Sequence, residues 1–450
     1  MKDKMRILAA IALACALFPA EMLEAQGTSA PGGLSIAQAT EWAMQKSPLI
    51  AAAEEITNQA RARLEGARSA FGPKLDAAVS GSWLEDAPAA AGYGRVLGGP
   101  SDGSPVLVTV PLGYRETYRA ALTLTQILFS GGTLAASLRA AELDLAAAGA
   151  EESRTRQAVL SSVEVAFFSV QRGLGRLSVA EENLKISREH LKQAEAFFRA
   201  GFVAVNEVLR AQVSIAQAQQ EKISAENAVR NAMAGLQRAV GIPLPPVADE
   251  KREAPPKLEL EGDKVETALK FRPELSALTA YRKAAEQTAK AYAGQALPQV
   301  FVQGELSRTD DDFFPSDDDE WGVNLVLQWR LYDHGATRSK VREARAVARE
   351  LLHRYEDLEN QVVQEVTVAS SDLDAATARM EVSREQVTQA REDYRIASLR
   401  YEAQVGTNLD VLDAQASLVA ALNSLVDSVY DASIAESKLV LAVGQGRLVF

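Results

Sequence analysis

Apolar side chains recur every seven positions along two long stretches of the chain. In the first they are Val163, Val170, Leu177, Leu184, Leu191 and Phe198, and four residues earlier runs a smaller row, Val159, Ala166, Gly173, Ala180, Ser187 and Ala194. Both rows return later as Val366, Leu373, Met380, Val387, Tyr394 and Tyr401, with Val362, Ala369, Ala376, Ser383, Ala390 and Ala397. Small rows follow each: Ala211, Ala218, Ala225, Ala232, Ala239, then Ala414, Ala421, Ser428, Ala435, Ala442. A strict seven-residue repeat calls for knobs-into-holes packing, and large rows facing small ones let helix axes approach closely. The pattern predicts long helices at about 133–199 and 335–402, each followed by a returning helix at about 206–240 and 408–443. At 1.5 Å per residue the 133–199 helix would be about 100 Å long. A compact globule of this length would have a radius of gyration of only about 22 Å. A rod of that length must pack along its side, against other copies of the chain.

Four other stretches alternate with period two. In 74–84 Leu75, Ala77, Val79, Gly81 and Trp83 alternate with Asp76, Ala78, Ser80 and Ser82, and in 117–128 Tyr118, Ala120, Leu122 and Leu124 alternate with Arg119, Ala121, Thr123 and Thr125. In 298–308 Val300, Val302 and Leu306 alternate with Gln303, Glu305 and Ser307, with Phe301 as the exception; in 321–332 Trp321, Val323, Leu325, Leu327 and Trp329 share one side. Period two with one apolar face predicts half-buried strands. Each is about ten residues, the length of a tilted membrane strand. Alternation alone leaves two readings open, a membrane barrel or a soluble sheet covered by a helix.

The chain is written twice. Ser47-Pro48-Leu49 corresponds to Arg272-Pro273-Glu274 at an offset of 225, and from residue 118 the offset is 203, as in Val208-Leu209-Arg210-Ala211-Gln212 and Val411-Leu412-Asp413-Ala414-Gln415. The first copy, 26–241, therefore carries the longer loop between its strands, and a Pro-rich linker, 242–262, joins it to the second copy, 263–450. All 16 prolines lie in residues 1–111 or 243–315, which leaves the helical blocks free of the residue that breaks helix interiors.

Residues 1–25 predict a secretory signal: Lys2, Lys4 and Arg6, an apolar run from Ile7 to Phe18, then cleavage after Ala25. The single cysteine, Cys15, would leave with it, so the fold rests on no disulfide. The run is too short to span a membrane. If the exported chain enters a bilayer, it does so as a closed barrel. A net charge of −12 argues against nucleic acid as a partner. Three scattered histidines and no nucleophile–base pair point to no metal, no cofactor and no enzyme. The acidic run Asp310 to Glu320 lacks EF-hand spacing and reads as a solvated loop.

Several phrases, in this order and twice over, resemble the TolC-like outer-membrane factor family along essentially the whole mature chain. They are Gln126-Ile127-Leu128-Phe129-Ser130-Gly131-Gly132 with its echo Trp329-Arg330-Leu331-Tyr332-Asp333-His334-Gly335, and Ala200-Gly201-Phe202 to Leu209 with its echo Tyr401 to Gln415. The resemblance implies a homotrimer in which four strands per protomer close one 12-stranded barrel in outer-membrane lipid, above an α-helical tunnel through the periplasm. It implies a passive, gated exit duct for an efflux pump or type I secretion system. The partners would be a periplasmic adaptor (membrane fusion protein) and an inner-membrane transporter of RND or ABC type. Trp83, Tyr118, Phe129, Trp321, Trp329 and Tyr332 would form the aromatic girdles. Asp410 and Asp413 would ring the lumen at the closed tip, with Tyr401 tying neighbouring helices and Glu207 beside them. Some relatives place an Arg four residues before the first Asp; here that residue is Gly406, so Arg210 of the first copy is the candidate to hold the tip shut. Gly201, Phe202, Val203, Gln404, Val405, Gly406 and Thr407 would meet the adaptor. The alternative is a periplasmic adaptor with long coiled-coil hairpins, which has no use for two pairs of ten-residue alternating strands.

Overall fold

A computed structural model describes residues 33–94, 106–111, 115–248, 262–310 and 319–445. The signal region with Cys15, most of the linker and most of the acidic loop lie outside the described residues. Two short helices open each copy: α1 (Ile36–Lys46) and α2 (Pro48–Ser69) in the first, α5 (Lys264–Phe271) and α6 (Pro273–Gly294) in the second. The break between them is set by proline. Ser47 and Arg272 precede Pro48 and Pro273 and take extended backbone with ψ of 123° and 122°, the conformation that the following ring imposes.

The strands are β1 (Lys74–Trp83), β4 (Glu116–Phe129), β5 (Gln299–Asp310) and β6 (Asp319–Gln328), antiparallel in the order β1-β4-β5-β6. Register places Leu75 opposite Leu124, Leu122 opposite Leu306, Leu306 opposite Trp321, and Val302 opposite Leu325. These residues share one face. The other face carries Asp76, Thr123 and Glu305 in one row and Thr125, Gln303 and Asn324 in another. Phe301, the break in alternation, sits opposite Ile127 and Val326, so the polar face has one apolar row at its helix-proximal end.

Among the described residues no helix packs across this sheet. Both faces are uncovered among the described residues, Asp76 and Asn324 on the polar one, and on the apolar one Val79 and Trp321 are each 79% exposed and Leu325 70%. A sheet whose apolar side has nothing covering it is unstable in water and stable in lipid. That geometry excludes the reading as a soluble sheet under a helix.

Three sequence expectations shift. The loop between the first two strands contains a separate hairpin, β2 (Ala89–Gly94) with β3 (Val106–Pro111), built on the β-branched run Val-Leu-Val-Thr-Val. The last strand stops at Gln328, so Trp329 and Tyr332 lie beyond it. Trp329 there donates its indole N–H to the Ala296 carbonyl at 3.1 Å. Third, Phe198, the last member of the first seven-residue row, is exposed, because the seam ends before the turn.

The long helices are α3 (Thr133–Arg199) and α7 (Ala336–Glu402), each of 67 residues, returning as α4 (Val205–Val240) and α8 (Asn408–Val443), each of 36. α3 pairs with α4 and α7 with α8, while α8 also lies along α3 and joins the two hairpins. Among the described helices α8 alone is long and apolar enough to cross a membrane, yet Val411, Ala414, Leu418 and Ala421 are buried in its hairpin. Halfway along, α1 and the start of α2 pack on the first hairpin around Phe167, Val163 and Leu236. α5 and α6 pack on the second hairpin around Val362, Val366 and Ala442. Leu34 and the start of the linker join this waist: Leu34 N–H donates to Pro246 O at 3.0 Å, and Gln171 donates to Ala248 O at 2.6 Å.

Two matching joints connect strands to long helices. Ser130 and Asp333, 203 residues apart, accept backbone N–H groups of Leu134 and Thr337 and cap α3 and α7. In the first joint Gly131 has φ of +61°, and a Cβ added there would come within 2.4 Å of the Gly294 carbonyl oxygen. The turn requires glycine on both counts.

Candidate functional site

The two hairpin turns end in the same geometry. Gly201 and Gln404, again 203 apart, take left-handed backbone with φ of +79° and +60°. Phe202 N–H returns to Phe197 O and Val405 N–H to Arg400 O, both at 2.9 Å, closing the ends of α3 and α7. The residue after each left-handed position, Phe202 and Val405, is an exposed apolar side chain. Gly201, Gln404 and Thr407 are exposed beside them, and Val203 and Gly406 are partly covered. Gly406 fits tightly, since a Cβ there would lie 3.0 Å from the Arg400 Cβ.

Behind the turns, one residue from each tunnel helix meets in a single knot. His190 of α3 has Nε2 2.6 Å from the Asn408 Oδ1 of α8. Asn408 donates its Nδ2 to the Glu207 carbonyl of α4 at 3.1 Å, and the Tyr401 hydroxyl of α7 donates to the Glu207 carboxylate at 3.4 Å. The amide nitrogen of Asn408 is committed to Glu207, so its oxygen accepts and His190 Nε2 carries the proton. Asn408, Tyr401 and His190 are 1%, 3% and 5% exposed. The rings of His190 and Phe197 lie 5.2 and 5.5 Å from that of Tyr401. Burial, then the Glu207 carboxylate and its hydrogen bond, push the Tyr401 phenol up to about 12. It is therefore a neutral donor at physiological pH.

Tyr401 and Glu207, both singled out from sequence, thus come together. His190 and Asn408 were missed. A lone histidine in a mixed helix has no periodic signal, and its partner is 218 residues away. Arg210 does not do what was expected of it within one chain: among the described residues it forms no ion pair. It shares with Asp413, Leu209, Val213, Leu412 and Gln415 the lining of an open groove of about 720 Å³ between α4 and α8.

Asp410 is exposed and has a local task. Its carboxylate accepts the Thr407 N–H at 2.9 Å while the Thr407 hydroxyl accepts the Asp410 N–H at 3.2 Å, a capping box that starts α8. The Thr407 N–H, then the Thr407 side chain, with Arg400 nearby, hold the Asp410 carboxyl below the usual aspartate range. Asp413, one turn on, is exposed. No cluster of metal-ligating side chains occurs among the described residues.

At the other end, Trp83 and Tyr118 meet edge to face at 5.7 Å at the outer margin of the sheet, with Trp321 on the same face. Phe129, opposite Val300, and Trp329 mark the inner margin. From Trp321 to Trp329 the strand direction covers about 26 Å, which at a tilt of about 40° is about 20 Å of height, most of a membrane barrel's apolar band of about 25 Å. Tyr332 lies just beyond, its ring tilted 55° to that of His334 with centroids 4.8 Å apart.

A family profile described as "Outer membrane efflux protein" matches residues 40–242 and 265–445. The chain belongs to the outer membrane efflux protein family. It is 25% identical to the outer membrane efflux protein BepC of Brucella suis, over 74% of this chain and 73% of that protein. It is 28% identical to the protein CyaE of Bordetella pertussis, over 73% and 70%. Its fold matches the crystal structure of CusC with a TM-score of 0.77 at 18% identity, covering 91% of this chain and 92% of that one. The matched residues stop at 242 and resume at 265, on either side of the linker. The protein is an outer-membrane efflux channel, and membership in this family disfavours the adaptor alternative.

Proposed function

We propose that three copies of the chain close one 12-stranded barrel and one helical tunnel. The assembly would work as a passive, gated exit duct of a tripartite efflux pump or type I secretion system. One observation carries the reading. The four-stranded sheet has an apolar outer face and two edges, β1 and β6, with no partner strand among the described residues. Unpaired backbone groups are not tolerated in hydrocarbon, so β1 of one copy must pair with β6 of the next. The polar face then lines the pore and the helices continue it into the periplasm.

In the closed duct the His190–Asn408–Glu207–Tyr401 knot holds the hairpins of one chain together. Asp410 and Asp413, repeated by a threefold axis, place six carboxylates at the tip and favour cations. Phe202 and Val405 with their neighbours offer the exposed apolar contacts for a periplasmic adaptor, which links the duct to an RND or ABC transporter. The test is twofold. The detergent-extracted assembly should have the mass of three protomers, and in a planar bilayer it should conduct in small, cation-preferring steps. Asp410→Ala with Asp413→Ala should widen those steps and weaken the preference. A three-chain assembly that never conducts, even with both substitutions, would refute the duct.

A further inference from the structure

We propose that the trough between α4 and α8 is a binding site for an amphiphilic organic cation, with the charged end of the ligand on Glu221 and its apolar body between Val213 and Val419. The site lies within one chain; that it faces the pore rests on the duct reading above.

Three helices build the trough. α3 is its floor, and α4 and α8, which both rise from the tip, are its walls. Ser187 Oγ of α3 lies 3.3 Å from Ser214 Oγ of α4 and accepts the Gln415 amide N–H of α8 at 2.8 Å. One turn farther from the tip, Asn183 donates to the Glu221 carboxylate at 3.0 Å, and its Oδ1 accepts from Gln415 at 2.7 Å. These bonds fix the spacing of the walls. The groove of about 720 Å³ nearest the tip shares Gln217, Glu221, Val419 and Asn423 with a second groove of about 810 Å³ farther along, so the two are continuous. Each is of the size that holds a drug-sized molecule.

The chemistry of the lining changes along its length. Toward the tip it is apolar and open to water: Leu209, Val213 and Leu409 are 54%, 57% and 50% exposed. Arg210 and Asp413, 203 residues apart, hold matching positions on the two walls, so their charges offset each other. Arg176, the cation of the far part, is paired with Asp427. Glu221 has no ion pair among the described residues and is the anion left uncompensated. Gln415 is 4% exposed, and its Oε1 has no partner among the described residues. A buried acceptor without a donor is a place for one that arrives on a ligand. An apolar slot ending at a free carboxylate and an idle acceptor is complementary to a flat apolar body that carries a positive charge and N–H groups. From Val213 to Glu221 is about 12 Å along α4, the length of a three-ring cation.

The trough opens away from the waist. There α1 lies against α4 on the side of Leu236 and Val240. Seven-residue steps from Ser224 and Ala228 of the trough lead to Asn231 and Gly235, both exposed on the opposite side of α4. Helices added to the inner side of a tunnel would obstruct it, so α1 is outside and the trough faces the pore.

Ethidium, a flat cation with amino groups, is the probe. Titrated with the detergent-extracted protein, its fluorescence should rise and saturate. Glu221→Gln should weaken that binding about threefold, the scale of one exposed ion pair. Val419→Arg, which puts a cation into the apolar wall, should weaken it at least tenfold; if that variant does not assemble, Glu221→Gln alone decides. Unchanged affinity in Glu221→Gln, or an equal loss in Asp410→Asn at the tip, would overturn the site. In a planar bilayer, ethidium on the side of the helical tip should reduce the conductance, and Glu221→Gln should need about threefold more for the same block. Saturable binding without block would overturn the placement in the pore. A single-chain mass with no conductance, with binding intact, would remove the duct reading and leave the site.

Discussion

Gly131 and Tyr401 show how single residues are bound to the fold in different ways. Gly131 has left-handed backbone and lies against the Gly294 carbonyl, at the joint between β4 and α3. Gly131→Ala should destabilise by roughly 2 kcal/mol or more, since the backbone conformation alone costs about 1–2 kcal/mol, and should show as a lower unfolding midpoint. The glycine pair was visible in the sequence, but its neighbour 163 positions away was not. Tyr401 is held neutral by burial and by Glu207. A phenol raised in the fold stabilises below its ordinary pKa near 10, and that stability is lost as pH rises toward about 12. Ultraviolet titration of the native protein should find one tyrosine ionising last, near the point where the tip loosens. In Tyr401→Phe that last step should vanish. Asp410 has the opposite sign: its lowered pKa means its cap is present above the usual aspartate range and fails only in stronger acid.

At the scale of elements, the seven-residue rows announce the hairpins because packing between neighbouring helices repeats with the chain's own period. Val163, Val170 and Leu184, with the small residues Gly173, Ala180, Ser187 and Ala194, are buried along one seam. What fixes one hairpin against the other has no period. The bond from His190 to Asn408 is a single contact between helices far apart in sequence, so only coordinates reveal it. Its coupling is measurable. His190→Ala and Asn408→Ala should each cost about 1–3 kcal/mol, the range for stranding a buried polar partner. The double variant should cost clearly less than the sum. Full additivity would mean that the two helices are not tied there. The β2–β3 hairpin was overlooked for a related reason: a short β-branched run inside a long loop carries the same local signal as many loops that never pair.

On the scale of the whole molecule, the proposed barrel would have the two faces of the sheet divide lipid from lumen. Leu325 and Asn324 are neighbours in β6 on opposite faces. Leu325→Arg should cost about 2–4 kcal/mol, the penalty for a charge near mid-bilayer, and should block insertion. Asn324→Arg should insert normally and shift ion preference toward anions. Equal insertion of both would mean that the apolar face does not meet lipid. The sequence by itself determined the doubled layout, the long helices and the alternating strands, because each follows from a local period of two or seven and from where proline is absent. It could not say whether the apolar side of the strands is left bare or lies under a helix, since a membrane barrel and a covered soluble sheet share one alternation. The tertiary structure separates these, because no described helix covers Val79, Trp321 and Leu325, and it alone assembled the four-helix knot at the tip. Burial and hydrogen bonding between distant segments depend on the path of the whole chain, and no period along the chain records that path.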